Sequence, residues 1–171
     1  HFALDAMQLL SKKGIDFSYT IIGAVGNEEL SFQKSQLELN DAVEFLDNVP
    51  FEKVKQKIRE ADVLLLPSVE EGVANVVLEA MLLGTVVLSA NCGGMEEVIT
   101  NHENGYMVPI RNPKAIAQAI IVIKNQSPHI LNKMVENAYQ KVVSQHSEEK
   151  MVRDMTGLYQ TVLKNKTKDS E

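Results

Sequence analysis

The apolar positions of FALDAMQLLSKKG (Phe2, Leu4, Ala6, Met7, Leu9 and Leu10) recur at helical spacing and stop at Gly14. The chain is therefore expected to open in a helix from its first residues. FSYTIIG then reads as a strand, GAVGN as a glycine-bearing loop, Glu28 to about Leu39 as a polar helix, and VEFL as a short strand. After Pro50, FEKVKQKIREAD predicts a helix with a solvated, lysine-rich outer face. VLLLP from Val63 and VVLSA from Val86 are apolar without alternation, the pattern of strands covered on both sides. Between them lies EGVANVVLEAMLLG, a short helix ended by Gly84. A weaker strand, GYMVP, follows Gly105. Asn112-Pro113 starts the helix KAIAQAIIVIKNQ, Ser127-Pro128 starts another to about Gln145, and a last helix runs from about Ser147 to Lys164 before a frayed tail. Strand, helix and strand alternate as in a parallel doubly wound sheet. The expected class is α/β, Rossmann-like, with extra C-terminal helices. No internal repeat or low-complexity block divides the chain, so residues 1–171 are expected to form one domain.

One acid sits oddly in this pattern. Between its bounding glycines the helix of Glu71 to Gly84 offers only Asn75 and Glu79 as polar positions, so it is expected to be buried almost all round. A carboxylate there costs free energy unless it is paired, neutralised or turned toward a polar ligand. Glu71, Asn75 and Glu79 stand at i, i+4 and i+8 and form one stripe if the helix reaches back that far. The two acids would then lie about 12 Å apart along the axis. The chain enters this helix from VLLLP through SVEEG, which puts the helix start at the carboxyl edge of a parallel sheet, where ligands of open α/β sheets bind. Free amides and the positive dipole end suit a phosphate, and Gly72 lets backbone approach it. A nucleotide sugar, with hydroxyl-rich groups on either side of a diphosphate, matches two acids flanking such a helix start. A purely structural account fits the same spacing: Glu79 bonded to a backbone N–H or a lysine, and Glu71 as a helix-start acid.

Composition narrows the alternatives. A net charge of −6 with a pI near 5.3, spread along the chain, offers no nucleic-acid surface. The single cysteine, Cys92, cannot form an internal disulfide and points to a reducing, cytoplasmic setting. No apolar run reaches the roughly 18 residues of a membrane span. His1, His102, His129 and His146 are scattered and no D-x-D pair occurs, so neither a metal nor another cofactor is expected. The GAVG loop lacks both G-x-G-x-x-G and the P-loop Lys-Ser/Thr, and no G-x-S-x-G turn offers a serine nucleophile.

The stretch EEGVANVVLEAMLLGTVVLSANCGGMEEVITNHENGYMVPIRNPKAIAQAI resembles the C-terminal half of the family 4 retaining glycosyltransferases, which have the GT-B fold. Glu71 and Glu79 match the spaced acid pair of that family's EG…EAM…G.PV pattern. Gly84, Val86, Gly93, Gly94, Glu97, Asn104 and Gly105 match around them, and the upstream AD.LLLPS and VEFL and the S.E.M…LY ending extend the likeness over nearly the whole chain. The resemblance implies a donor-binding half. Glu79 would hold the ribose hydroxyls, Glu71 would face the transferred sugar as the catalytic acid residue, and backbone from Gly72 through Val73, Ala74, Asn75 and Val76 would face the diphosphate. Gly93-Gly94 would leave space beside the donor, although a plain strand-to-helix turn also accounts for them, and Val49 would lie by the base. The family's Arg and Lys against the diphosphate lie upstream of the first residue here, as does its acceptor-binding domain. The sheet is then expected to show an exposed edge, and any membrane contact would belong to that other half. Val73 and Ala74 depart from the aromatic and the proline or glycine common at those places. The implied partners are an NDP-sugar donor and a carbohydrate or lipid-linked acceptor, in cell-surface polysaccharide or glycolipid synthesis. A non-catalytic binding or scaffolding domain of the same fold is the alternative.

Overall fold

The computed structural model describes residues 1–168. Its elements follow the order read from the pattern: α1 (Phe2–Lys12), β1 (Tyr19–Ile22), α2 (Glu28–Gln36), β2 (Val43–Leu46), α3 (Phe51–Glu60), β3 (Val63–Leu66), α4 (Asn75–Leu83), β4 (Val86–Ala90), α5 (Met95–Val98), β5 (Tyr106–Val108), α6 (Pro113–Lys124), α7 (Pro128–Gln145) and α8 (Glu148–Lys168). The capping residues act as their types dictate. Asn27, Asn112 and Ser127 each accept the backbone N–H three residues on, and Gly84 closes α4 in the left-handed region at φ 82°. One-turn α5 was not anticipated. α8 continues to Lys168 rather than fraying after Lys164, and residues 169–171 of the expected tail lie outside the described residues.

Every strand pair is parallel, but the strands form two sheets, β1-β2 and β3-β4-β5. The two share one apolar cluster. Tyr19, Ile21, Val43 and Phe45 of the first sheet join Val63, Leu65, Val86 and Leu88 of the second beneath α1 and α6, which pack on each other. The alternate residues Leu64, Leu66 and Val87 face a second cluster with α4, α5 and α7, built around Val77, Met81, Val98 and Ala138. Apolar helices thus cover both faces, which is why the strand runs lack alternation.

Burial distinguishes the strands. β4, with a neighbour on each side, is buried at all five positions, whereas β1 and β3, each paired on one side only, are half-buried throughout. The expectation that VLLLP is fully covered holds for its two faces and fails at its edge, where β3 has no second strand neighbour yet stays half-buried. Helix α4 is likewise less enclosed than its composition suggested: Val77, Ala80 and Met81 are buried, but Leu82 is 45% exposed and Asn75 faces solvent. Beyond α7, α8 leaves Met151, Met155, Leu158 and Val162 exposed along one side. No helix among the described residues is long and apolar enough to cross a membrane.

Candidate functional site

Because β3 and β4 are parallel, the segments that follow them, residues 67–74 and 91–94, leave the sheet at the same carboxyl edge. There they meet. A side chain at position 93 would place its Cβ 1.6 Å from the Glu71 carbonyl oxygen, and one at position 94 would come within 3.2 Å of the Gly72 backbone. Gly93 also adopts φ +53°, so both its conformation and its surroundings require glycine. Four residues singled out in the sequence, Glu71, Gly72, Gly93 and Gly94, are thereby brought into one contact, with the Val73 side chain 3.2 Å from the Cβ position of Gly94. Gly93 and Gly94 are more than a plain turn.

The same contact corrects the helix boundary. In a helix beginning at Glu71, its carbonyl would accept the Asn75 N–H; here it accepts the Gly94 N–H at 3.4 Å instead. Ala74 is extended at ψ 118°, and α4 begins at Asn75. Glu71, Gly72, Val73 and Ala74 therefore lie on a loop, and the helical rise does not set the distance from Glu71 to Glu79. Ala74 supplies no capping side chain and no acid stands in the first turn of α4. The opening amides at Asn75 and Val76 are thus free of a side-chain competitor for an outside acceptor.

The two acids differ in their surroundings. Glu71 is half-buried and its Oε1 accepts from Ser68 Oγ at 2.7 Å. Glu79, midway along α4, is half-buried, and no hydrogen bond or ion pair to its side chain is found among the described residues. A structural account of Glu79 as paired with a lysine or a backbone N–H thus finds no partner. Behind the Glu71 loop lies Cys92, only 5% exposed and packed with the α4 cluster. Burial pushes its thiol above the ordinary range, and the charge of Glu71 adds to that push. Ser68 and Cys92 carried no signal in the sequence beyond a hydroxyl three residues before an acid and a thiol beside Gly-Gly. Only the folded loop brings both to Glu71.

Val49 is half-buried between β2 and α3, and no hydrogen bond ties it to the Glu71 loop among the described residues. Two cavities lie elsewhere. One of about 440 Å³ is lined by His102, His129, Lys133 and neighbours, the other of about 400 Å³ by Asn91, Asn101 and Met107 to Ile110. Neither includes Glu71, on the loop at the carboxyl edge, or Glu79, midway along α4. No group of three or more His, Cys, Asp or Glu with metal-site geometry is found among the described residues.

Glu71, close-packed glycines and an uncapped helix start gathered at the carboxyl edge of a parallel sheet define an open α/β protein with a polar rim. Residues 1–141 match the family described as glycosyl transferases group 1, and the chain belongs to it. Among its relatives is WcaL of Escherichia coli strain K12, provisionally named a colanic acid biosynthesis glycosyltransferase. WcaL is 30% identical over 170 residues, 95% of this chain and 42% of its own length. The chain thus spans less than half of that relative. Among solved structures, the C-terminal domain of the group 1 glycosyl transferase LpcC from Francisella tularensis superposes with a TM-score of 0.75 at 23% identity. That match covers 86% of this chain and 78% of that one. Anabaena HepE, solved with UDP, gives a TM-score of 0.83 at 20% identity over 94% of this chain and 44% of its own, and its UDP-glucose complex gives 0.80. The fold is that of GT-B glycosyltransferase domains.

Proposed function

We infer that this chain is the donor-binding unit of a retaining glycosyltransferase of the family 4 kind, acting on an NDP-sugar in cell-surface polysaccharide or glycolipid synthesis. The observation that carries the reading is the seating of the Glu71 loop on Gly93-Gly94 directly before the uncapped start of α4. The diphosphate lies against the amides from Gly72 to Val76, where the dipole and unpaired N–H groups favour negative charge. Glu79 accepts the ribose hydroxyls, Glu71 faces the sugar, and Val49 borders the base. Support comes from Glu79, half-buried and without a side-chain partner among the described residues, and from a protein of the same fold that was solved with UDP and UDP-glucose.

In the reaction the bond from the anomeric carbon to the diphosphate breaks, and an acceptor hydroxyl oxygen replaces it on the same face. The leaving diphosphate takes the electron pair, and its departing oxygen accepts the proton that the acceptor hydroxyl gives up. Preorganised amides aimed at that developing charge supply the large term, so the scheme calls for neither a metal nor a covalent role for either acid. The acceptor, and the basic residues that would complete the diphosphate site, belong to chain outside these residues. The setting is cytoplasmic, with any membrane contact made by that other part.

Calorimetric titration with UDP, GDP and ADP, without metal, tests the reading. One nucleotide should bind, and Glu79→Ala should weaken it about tenfold, as expected for loss of a carboxylate hydrogen-bonded to ligand hydroxyls. Equal affinity in the variant would remove Glu79 from the site. Silence toward every nucleotide, in this chain and in one extended upstream, would favour a non-catalytic domain.

A further inference from the structure

The backbone of Glu71 is held from one side: the Gly94 N–H donates to its carbonyl, and Gly93 packs so closely that no side chain fits between. That fixes the Cα of Glu71 but not its carboxylate, which still has the rotamer freedom of a long side chain. Ser68 removes that freedom. Its Oγ donates to Glu71 Oε1 at 2.7 Å from within the same loop, in a partly buried setting. Oε2 is left with its acceptor capacity for another donor. We propose that Ser68 is a positioning residue: it fixes the rotamer of Glu71 so that the second carboxylate oxygen meets a hydroxyl of the donor sugar, and so sets the preference for an NDP-sugar over the bare NDP. The sugar part of this rests on the donor-site reading. The fixing of the carboxylate does not: it stands on the Ser68 bond, and the Cys92 thiol, raised by burial and then by the charge of Glu71, gives it a readout that needs no nucleotide.

The experiment uses the 171-residue chain with its single cysteine labelled with carbon-13 at Cβ, so that one NMR signal follows thiol ionisation. In Glu71→Gln the thiol should titrate lower than in wild type, since one of the two causes raising it is gone. In Ser68→Ala it should move the same way as the carboxylate swings off, and in Ser68→Thr, which keeps the hydroxyl, it should return to the wild-type value. In parallel, affinities for UDP and UDP-glucose are measured on each variant. Ser68→Ala should weaken UDP-glucose by about three- to tenfold, less than the whole of one charge-assisted hydrogen bond because the carboxylate is misplaced and not removed, leave UDP unchanged, and be rescued by Ser68→Thr. A wild-type titration in Ser68→Ala alongside a shifted one in Glu71→Gln would overturn the positioning role, as would a loss of UDP-glucose affinity in Ser68→Ala that Ser68→Thr does not restore. Equal losses for UDP and UDP-glucose would overturn the sugar preference. If wild type binds neither ligand, the sugar preference falls together with the donor-site reading, while the thiol titration still decides whether Ser68 fixes Glu71.

Discussion

At the scale of single residues, the most exacting position is Gly93. Any Cβ there meets the Glu71 carbonyl at 1.6 Å, and the residue sits at φ +53°. Gly93→Ala must therefore lift the loop as well as strain the turn. We expect a loss of about 2 to 4 kcal/mol, combining backbone strain with a displaced neighbour, read as a lower midpoint in urea, and loss of nucleotide binding even where the variant remains folded. Unchanged stability would mean that the loop does not rest on this turn. Tyr19 offers a second test. Burial raises its phenol to about 12 from an ordinary 10.0, so the absorbance difference between wild type and Tyr19→Phe should titrate near 12. Between those two values the unfolded chain has lost the proton that the native one keeps. Stability is therefore retained below pH 10 and falls as pH rises through the window, more steeply in wild type than in Tyr19→Phe. The acid pair Glu71 and Glu79 was legible in the sequence because an acid in an apolar stretch stands out. The bond from Ser68 was not, since a serine three residues before a glutamate means nothing until the loop closes.

Elements were legible where periodicity and caps agreed, and blurred where a tertiary contact took over. The start of α4 shows this: a continuous pattern from Glu71 gave no reason to stop short, and only the claim of Gly94 on the Glu71 carbonyl moves the boundary to Asn75. The loop between α5 and β5 is the reverse case, in which a motif residue has a plain mechanical account. Asn104, 3% exposed, accepts the Thr100 N–H at 2.7 Å and donates to the Val98 carbonyl at 2.9 Å, stapling the end of α5 to the entry of β5. Asn104→Ala strands both backbone groups. It should cost about 1 to 3 kcal/mol in denaturant unfolding, the penalty of leaving one buried and one partly buried group unsatisfied, while nucleotide affinity stays within about twofold because the loop opens at the other end of β5 from the Glu71 rim. A large change in affinity would show that the loop and the rim are coupled.

For the molecule as a whole, the doubly wound class followed from the alternation of strand and helix, whereas the division into two sheets did not, because hydropathy reports which faces of a strand are covered and says nothing of its edges. On the reading proposed above, a chain that spans 42% of the length of its relative WcaL should bind donor without completing transfer. Incubated with UDP-glucose and candidate acceptors it should release no UDP above the uncatalysed rate, and measurable turnover would contradict the division of labour proposed above. The split sheet has a further bearing. A parallel strand sends its amides alternately to left and right, so β1 and β3, each with one neighbour, hold only part of their N–H groups in ladder bonds, whereas β4 holds its own between two. In deuterated water the map of solvent exchange should then be uneven: slow across β4, and fast at alternate positions of β1 and β3, even though the apolar side chains on those strands are packed.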